Sequence, residues 1–218
     1  MQDHLYDTMI EDYARGHLSP GWSLGVAAHL ALSPSGRAHV RALDAVGGAL
    51  LEDIEPVAVA EDALDSAMAR IADTSRASEG KPDVPSPEPG SQACLPEPLR
   101  TAFGGDVATL KWRRLNHGVS QVILETDDRT TTCRLLKVKA GYPVSAHSHG
   151  GLEFTLVLSG SFSDELGTFA RGDVELTDDT VEHQPVAGDE DCVCFAVTDR
   201  PLRFRNPLMR LVQPFFRI

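Results

Sequence analysis

The chain has 218 residues and a formal net charge of −12 at pH 7, with 20 Lys and Arg against 32 Asp and Glu. That balance argues against direct nucleic-acid binding, which needs Lys and Arg to neutralise phosphates, and fits a basic partner or simply a soluble protein. There is no apolar run of roughly 18 residues, the acidic start (Asp3, Asp7, Glu11, Asp12) is unlike a signal peptide, and Cys94, Cys133, Cys192 and Cys194 form no Cys-x-x-Cys pair, so a reduced, cytoplasmic protein is expected.

In chain order, residues 1–74 read as helical. Leu5, Met9, Ile10 and Tyr13 recur at helical spacing up to a breaker at Gly16, and Ser19-Pro20 is a helix-start pattern. Trp22, Leu24, Val26, Ala27, Leu30 and Ala31 predict a second helix that ends near Ser33-Pro34-Ser35-Gly36. Val40, Leu43, Ala45, Val46 and Leu50 predict a third over 34–51, and Leu64, Met68 and Ile71 a fourth over 60–72. Small residues at Ala27-Ala28 and Gly47-Gly48 let helices approach closely, so a compact helical domain is expected.

Residues 75–98 read as a linker. Pro82, Pro85, Pro87, Pro89, Pro96 and Pro98 alternate with Ser, Glu, Gly and Asp, with too little apolar surface to fold. An extended tether between two independently packed units follows. Residues 99–218 form the second unit, in which short β runs are punctuated by turns: 111–114, 119–125, 131–138, 154–159, 161–164, 168–170, 173–176, 183–186, 192–198 and 202–204. Such spacing predicts an antiparallel sandwich or jelly roll, with the apolar tail 208–218 packing on it as a helix or strand.

The most informative stretch is 141–160, with Gly141, His147, His149, Glu153 and Gly160, and a further histidine at His183. Strand side chains alternate between faces, so His147 and His149 point the same way, while Gly150-Gly151 bends the chain and re-aims Glu153. Three imidazoles and one carboxylate make a divalent-metal site suited to zinc foremost, and also to iron, manganese or nickel. An isolated His-x-His is commonly a surface coincidence; the spaced Glu, the framing glycines and the β run 154–158 argue for metal. Tetrahedral zinc on four ligands would be closed, as a structural or sensing site should be, whereas iron or manganese would leave two positions open for substrate or oxygen. No Ser-His-Asp, P-loop or dinucleotide signature accompanies it.

Cys192 and Cys194 lie on one side of a predicted strand, either as redox-sensitive thiols or as small buried hydrophobes, and are poorly placed to bond each other. Lys111-Trp112-Arg113-Arg114 is the densest basic cluster and reads as a solvated strand edge.

The 141–160 segment resembles the first cupin motif, G(X)5HXH(X)3E(X)6G, without a deviation, and His183 stands where the second motif supplies its last ligand. That second motif is weaker: Asp179-Thr180-Val181 replaces its Pro-x-Gly turn, and Ala187 its closing Asn. The whole chain resembles the ChrR-type anti-sigma factors, through His4-Leu-Tyr-Asp, Ala28-His29-Leu30, Arg41-Ala-Leu-Asp-Ala-Val-Gly-Gly48, Leu156-Val-Leu, Pro201-Leu-Arg-Phe204 and the Arg217-Ile218 end. The resemblance implies a helical bundle that sequesters an extracytoplasmic-function sigma factor, joined to a C-terminal cupin β-barrel that releases it under oxidative, singlet-oxygen-like stress. It implies no catalysis; a cupin oxygenase or isomerase with a helical appendage is the alternative. One departure stands out. The family's N-terminal zinc uses two histidines and two cysteines, and here His4 and His29 are present while Ser33 and Gly36 occupy the cysteine positions. Two donors are gone, which predicts a metal-free bundle held by its apolar core. Asp44, Glu52, Asp53, Glu55, Glu61, Asp62 and Asp65 make that unit acidic, in keeping with a basic surface on a sigma factor.

Overall fold

The computed structural model describes residues 2–77, 94–126 and 128–204. The helices are α1 (Gln2–Ala14), α2 (Pro20–Leu32), α3 (Pro34–Glu52), α4 (Ala63–Ala77) and α5 (Glu97–Phe103). The strands are β1 (Arg113–Arg114), β2 (Val119–Ile123), β3 (Thr132–Val138), β4 (His147–Ser148), β5 (Glu153–Ser159), β6 (Ser161–Ser163), β7 (Thr168–Ala170), β8 (Val174–Thr177), β9 (Glu182–His183), β10 (Val186–Ala187), β11 (Cys192–Thr198) and β12 (Arg203–Phe204). Among the described residues no helix is long and apolar enough to cross a membrane.

The four N-terminal helices form where the apolar spacing places them. Proline at the first position starts both α2 and α3, where its missing N–H costs nothing. Ser33 closes α2 and opens α3, its Oγ accepting the Gly36 amide at 3.0 Å. The N-terminus of α2 is served from afar: the Asp128 carboxylate, in the β2–β3 connection, accepts the Gly21 amide at 3.1 Å and the Ser19 hydroxyl at 3.2 Å.

The strands build one six-stranded antiparallel sheet, in the order β1-β2-β3-β11-β5-β8, and two three-stranded sheets, β10-β6-β7 and β12-β4-β9. Every residue of β11 is buried, and all of β5 except Ser159. Continuous burial means that both faces of the sheet are covered. One face carries Leu135, Phe154, Leu156, Phe195 and Val197 in a core shared with Met9 and Ile10 of α1, Val26 and Ala28 of α2, and Leu99 of α5. The other face carries Val138, Val157, Cys192 and Cys194, packed with Phe162, Phe169 and Ala187 of the small sheets.

Two expectations need correction. The helices and strands are not independently packed, because α1 and α2 lie directly on the large sheet. The absence of a Cβ at Gly25 makes this possible, since one would sit 3.2 Å from the Phe154 ring. The segment 94–98, read as extended linker, is folded: Leu95 is buried, Asp106 accepts the Cys94 and Leu95 amides, and Glu97 begins α5. The rest of the Pro-rich stretch from 78 to 93, and the tail 208–218, lie outside the described residues. Arg113 and Arg114 form the exposed edge strand β1, as expected of a solvated basic cluster.

Candidate metal centre

His147 on β4 faces His183 on β9 across a register pair, which brings two imidazoles together from different parts of the chain. Two residues on, His149 points to the same side, as strand alternation requires. The chain then turns tightly: a Cβ on Gly150 would lie 2.7 Å from the Pro201 carbonyl oxygen, and one on Gly151 would strike the Asp199 carboxylate. Glycine at both positions lets the motif run against the 199–201 segment and enter β5 at Glu153.

The three imidazoles converge through Nε2, with His149 and His183 3.1 Å apart and His183 and His147 3.3 Å apart. All three are buried, and their ligand atoms lie within 4.8 Å of one another. Two nitrogens bonded to one tetrahedral zinc at 2.0–2.1 Å are about 3.4 Å apart, so these spacings fit a single cation. The outer nitrogens are held as metal-ligating histidines require. His147 Nδ1 meets the Ser145 carbonyl at 2.8 Å, and His183 Nδ1 the Asp164 carboxylate at 2.6 Å. Glu175 stands behind, its Oε1 3.6 Å from the same nitrogen.

Glu153 is adjacent but turned. Its Oε2 accepts from His149 Nδ1 at 3.1 Å and its Oε1 from the Thr155 hydroxyl at 2.9 Å, so it braces His149 rather than joining the convergent nitrogens. Burial works to raise its pKa, but the His149 hydrogen bond and the neighbouring imidazoles hold it down at about 2. Burial pushes His147 down to about 4, so its ring is neutral and able to donate a lone pair. Burial opposes charge on His183 as well, yet Glu175 and Asp164 raise it to about 9. Glu175 itself is raised to about 7 by burial and by Asp164. Three carboxylates around three imidazoles make a pocket for positive charge.

Asp164, Glu175, Thr155 and Thr177 join the histidines without a sequence motif that marks them as partners. Glu175 and Thr177 alternate on β8 with apolar Val174 and Leu176, a period-2 sign of an inward polar row. Asp164 gives no such sign, because it reaches His183 only through the fold. Cys192 and Cys194 are buried with their sulfurs 3.4 Å apart, in the apolar core of the inner face.

An N-terminal zinc, as the resemblance would imply, does not fit the residues present. Both nitrogens of buried His29 are engaged, Nε2 by the Tyr6 hydroxyl at 2.9 Å and Nδ1 by the Gly172 carbonyl at 3.0 Å. Among the described residues, no cluster of potential ligands includes His29 or His4.

The chain matches the ChrR cupin-like domain family over residues 101–203. Over its whole length it is 43% identical to the anti-sigma-E factor ChrR of Cereibacter sphaeroides, of which the alignment covers 99%. It is similar to the crystal structure of Rhodobacter sphaeroides SigE in complex with the anti-sigma ChrR, with a TM-score of 0.71 and 41% identity over 88% of this chain and 96% of that one. An RmlC-like cupin protein of Ralstonia eutropha is 20% identical over 47% of this chain and 71% of that one, with a TM-score of 0.41.

Proposed function

Because the chain belongs to the ChrR family of anti-sigma factors, we propose that its N-terminal helices sequester an extracytoplasmic-function sigma factor in the cytoplasm, and that its cupin holds one divalent cation that governs release. The observation that carries this reading is a similarity that runs through helices and cupin alike. A full-length relative named for anti-sigma activity also weighs against the alternative of a cupin oxygenase or isomerase, and the chain is read as non-enzymatic.

The helical surface supports the partner. Val46 and Leu50 on α3, and Leu64 and Met68 on α4, are 58–72% exposed, flanked by the exposed acids Glu52, Asp53, Glu61 and Asp65. Apolar side chains ringed by acids suit a partner with a basic, partly apolar surface. Residues 1–77 are assigned to sigma binding, 78–93 to the connection and 94–218 to sensing, with the three sheets read as the walls of a jelly-roll barrel.

His147, His149 and His183 would hold the cation, zinc foremost, with Glu153 as the fourth ligand after rotating from His149. In the present arrangement the imidazoles are oriented, buried and supplied with carboxylates; for the cation to bind, Glu153 must rotate and His183 must give up the Nε2 proton that Asp164 and Glu175 stabilise. When bound, zinc supplies a closed, redox-inert crosslink between β4, β9 and β5. Oxidation of a ligand or loss of the ion under singlet-oxygen-like stress would relax that crosslink. Turning a complex from 99:1 bound to 99:1 free requires about 5.5 kcal/mol of differential binding, so the coupling must be substantial.

The test is co-purification with an extracytoplasmic-function sigma factor of the same cell. Wild-type chain is expected to retain the sigma factor, and the double substitution Leu64→Glu, Met68→Glu to lose it with an unchanged melting temperature. Capture that survives the double substitution would remove the docking assignment; absence of capture by wild-type protein would remove the anti-sigma reading. His147→Ala should keep basal capture and blunt release by a singlet-oxygen generator, read as the fraction of sigma freed.

A further inference from the structure

The inner face of the large sheet carries a cation that the imidazole cluster does not use. Arg134 on β3 is only 4% exposed, between Ile123 of β2 and Ala196 of β11 in register. Its Nε has no hydrogen-bond partner, and among the described residues no carboxylate lies within ion-pair distance of its guanidinium. Glu153, whose negative charge it feels, is already taken up by His149 and Thr155. A guanidinium keeps its proton even when buried, and a buried charge without a partner is unfavourable.

Arg134 borders a hollow of about 130 Å³, otherwise lined chiefly by Leu115, Val119, Leu136, Val144 and Phe204, with Glu153 also on its wall. A second hollow of about 90 Å³ adjoins it, sharing Leu136 and Val144 and reaching His147 and His183. The larger is close to the roughly 150 Å³ of an apolar cavity known to accept benzene.

We propose that this cavity binds a small organic carboxylate, its apolar body filling the hollow and its carboxylate paired with Arg134. The lining chooses the class. A sugar would set most of its hydroxyls against leucine and valine, and a phosphate would bring two negative charges beside Glu153 where a carboxylate brings one. A monocarboxylate with a ring or short branched chain satisfies both the cation, by a two-pronged hydrogen bond, and the apolar wall. The site stands on this cavity alone, whether or not the chain binds a sigma factor.

The experiment is calorimetric titration of the full chain with benzoate and hexanoate, and with benzyl alcohol as the uncharged counterpart, in zinc-loaded and chelator-treated protein. At least one carboxylate is expected to bind more tightly than the alcohol. Arg134→Met should weaken it by about tenfold or more while leaving the alcohol unchanged, and Arg134→Lys should retain part of the preference. If Arg134→Met fails to fold, the loss of preference is read from Arg134→Gln. No carboxylate binding by wild-type protein, equal binding by the charge-removing variant, or binding that depends on zinc and not on the arginine would overturn the assignment.

Discussion

His183 has two sets of partners. Its Nε2 meets the other two imidazoles, and its Nδ1 is gripped by Asp164 at 2.6 Å with Glu175 behind. Asp164 fixes which nitrogen faces the proposed cation site. Asp164→Asn should therefore weaken zinc binding by about 10- to 100-fold, measured by competition with a chromophoric chelator, while the fold persists. Unchanged affinity would show that Asp164 does not orient the ring. The histidines themselves were legible in the sequence, because His-x-His on a strand fixes two side chains on one face whatever the rest of the fold does. Asp164 was not legible, since its separation from His183 carries meaning only once β6 and β9 are placed. Glu153 illustrates a third case: the spacing put it at the site, but the side chain resolves its own burial by bonding His149 Nδ1 instead of facing the nitrogens.

Among the elements, α2 is the hinge of the arrangement. It is apolar almost throughout, so its sequence predicts burial without saying against what. The structure sets it on β5 and β11, with α1 and α3 on its other sides. Burial on both faces of β5 was readable in Glu153-Phe-Thr-Leu-Val-Leu-Ser159, whose apolar run does not alternate. α5 is hidden in the sequence because Pro96 and Pro98 continue the proline pattern of the preceding segment, although proline at a first helical turn is favourable. The start of α2 depends on a residue more than a hundred positions away. Burial works to raise the Asp128 pKa, but hydrogen bonds from Thr130, Thr131 and the Gly21 amide outweigh it and hold the carboxyl below its usual range. A depressed carboxylate pKa contributes stability above the unfolded value of about 3.9 and loses it as the pH falls further. Asp128→Asn should cost about 1 kcal/mol at pH 7, a capping-sized loss at a largely solvated site, and the difference from wild type should shrink below about pH 4. Denaturant unfolding at pH 7 and pH 3 measures it, and a deficit that persists undiminished in acid would refute the ionic origin.

For the whole molecule, one core joins helices and sheet, where the composition of the proline-rich stretch suggests two separate bodies. Among the described residues, the join includes the apolar layer of Val26, Phe154 and Phe195, the Asp128 cap on α2, and the His29 bond to the Gly172 carbonyl. If a protease site is inserted between residues 78 and 93 and cut, the two fragments are expected to travel together on size-exclusion chromatography. Fragments that part at micromolar concentration would show the shared core to be too weak to unite them. The large sheet also makes distance a minor obstacle. Along β11, Cys194 and Ala196 look toward the imidazole side, while Phe195 and Val197, one peptide away, press on the helices. A single β-layer is thus a party wall, and densely packed matter yields little within its thickness. A displacement in one room is therefore expected to reach the next without a corridor between them.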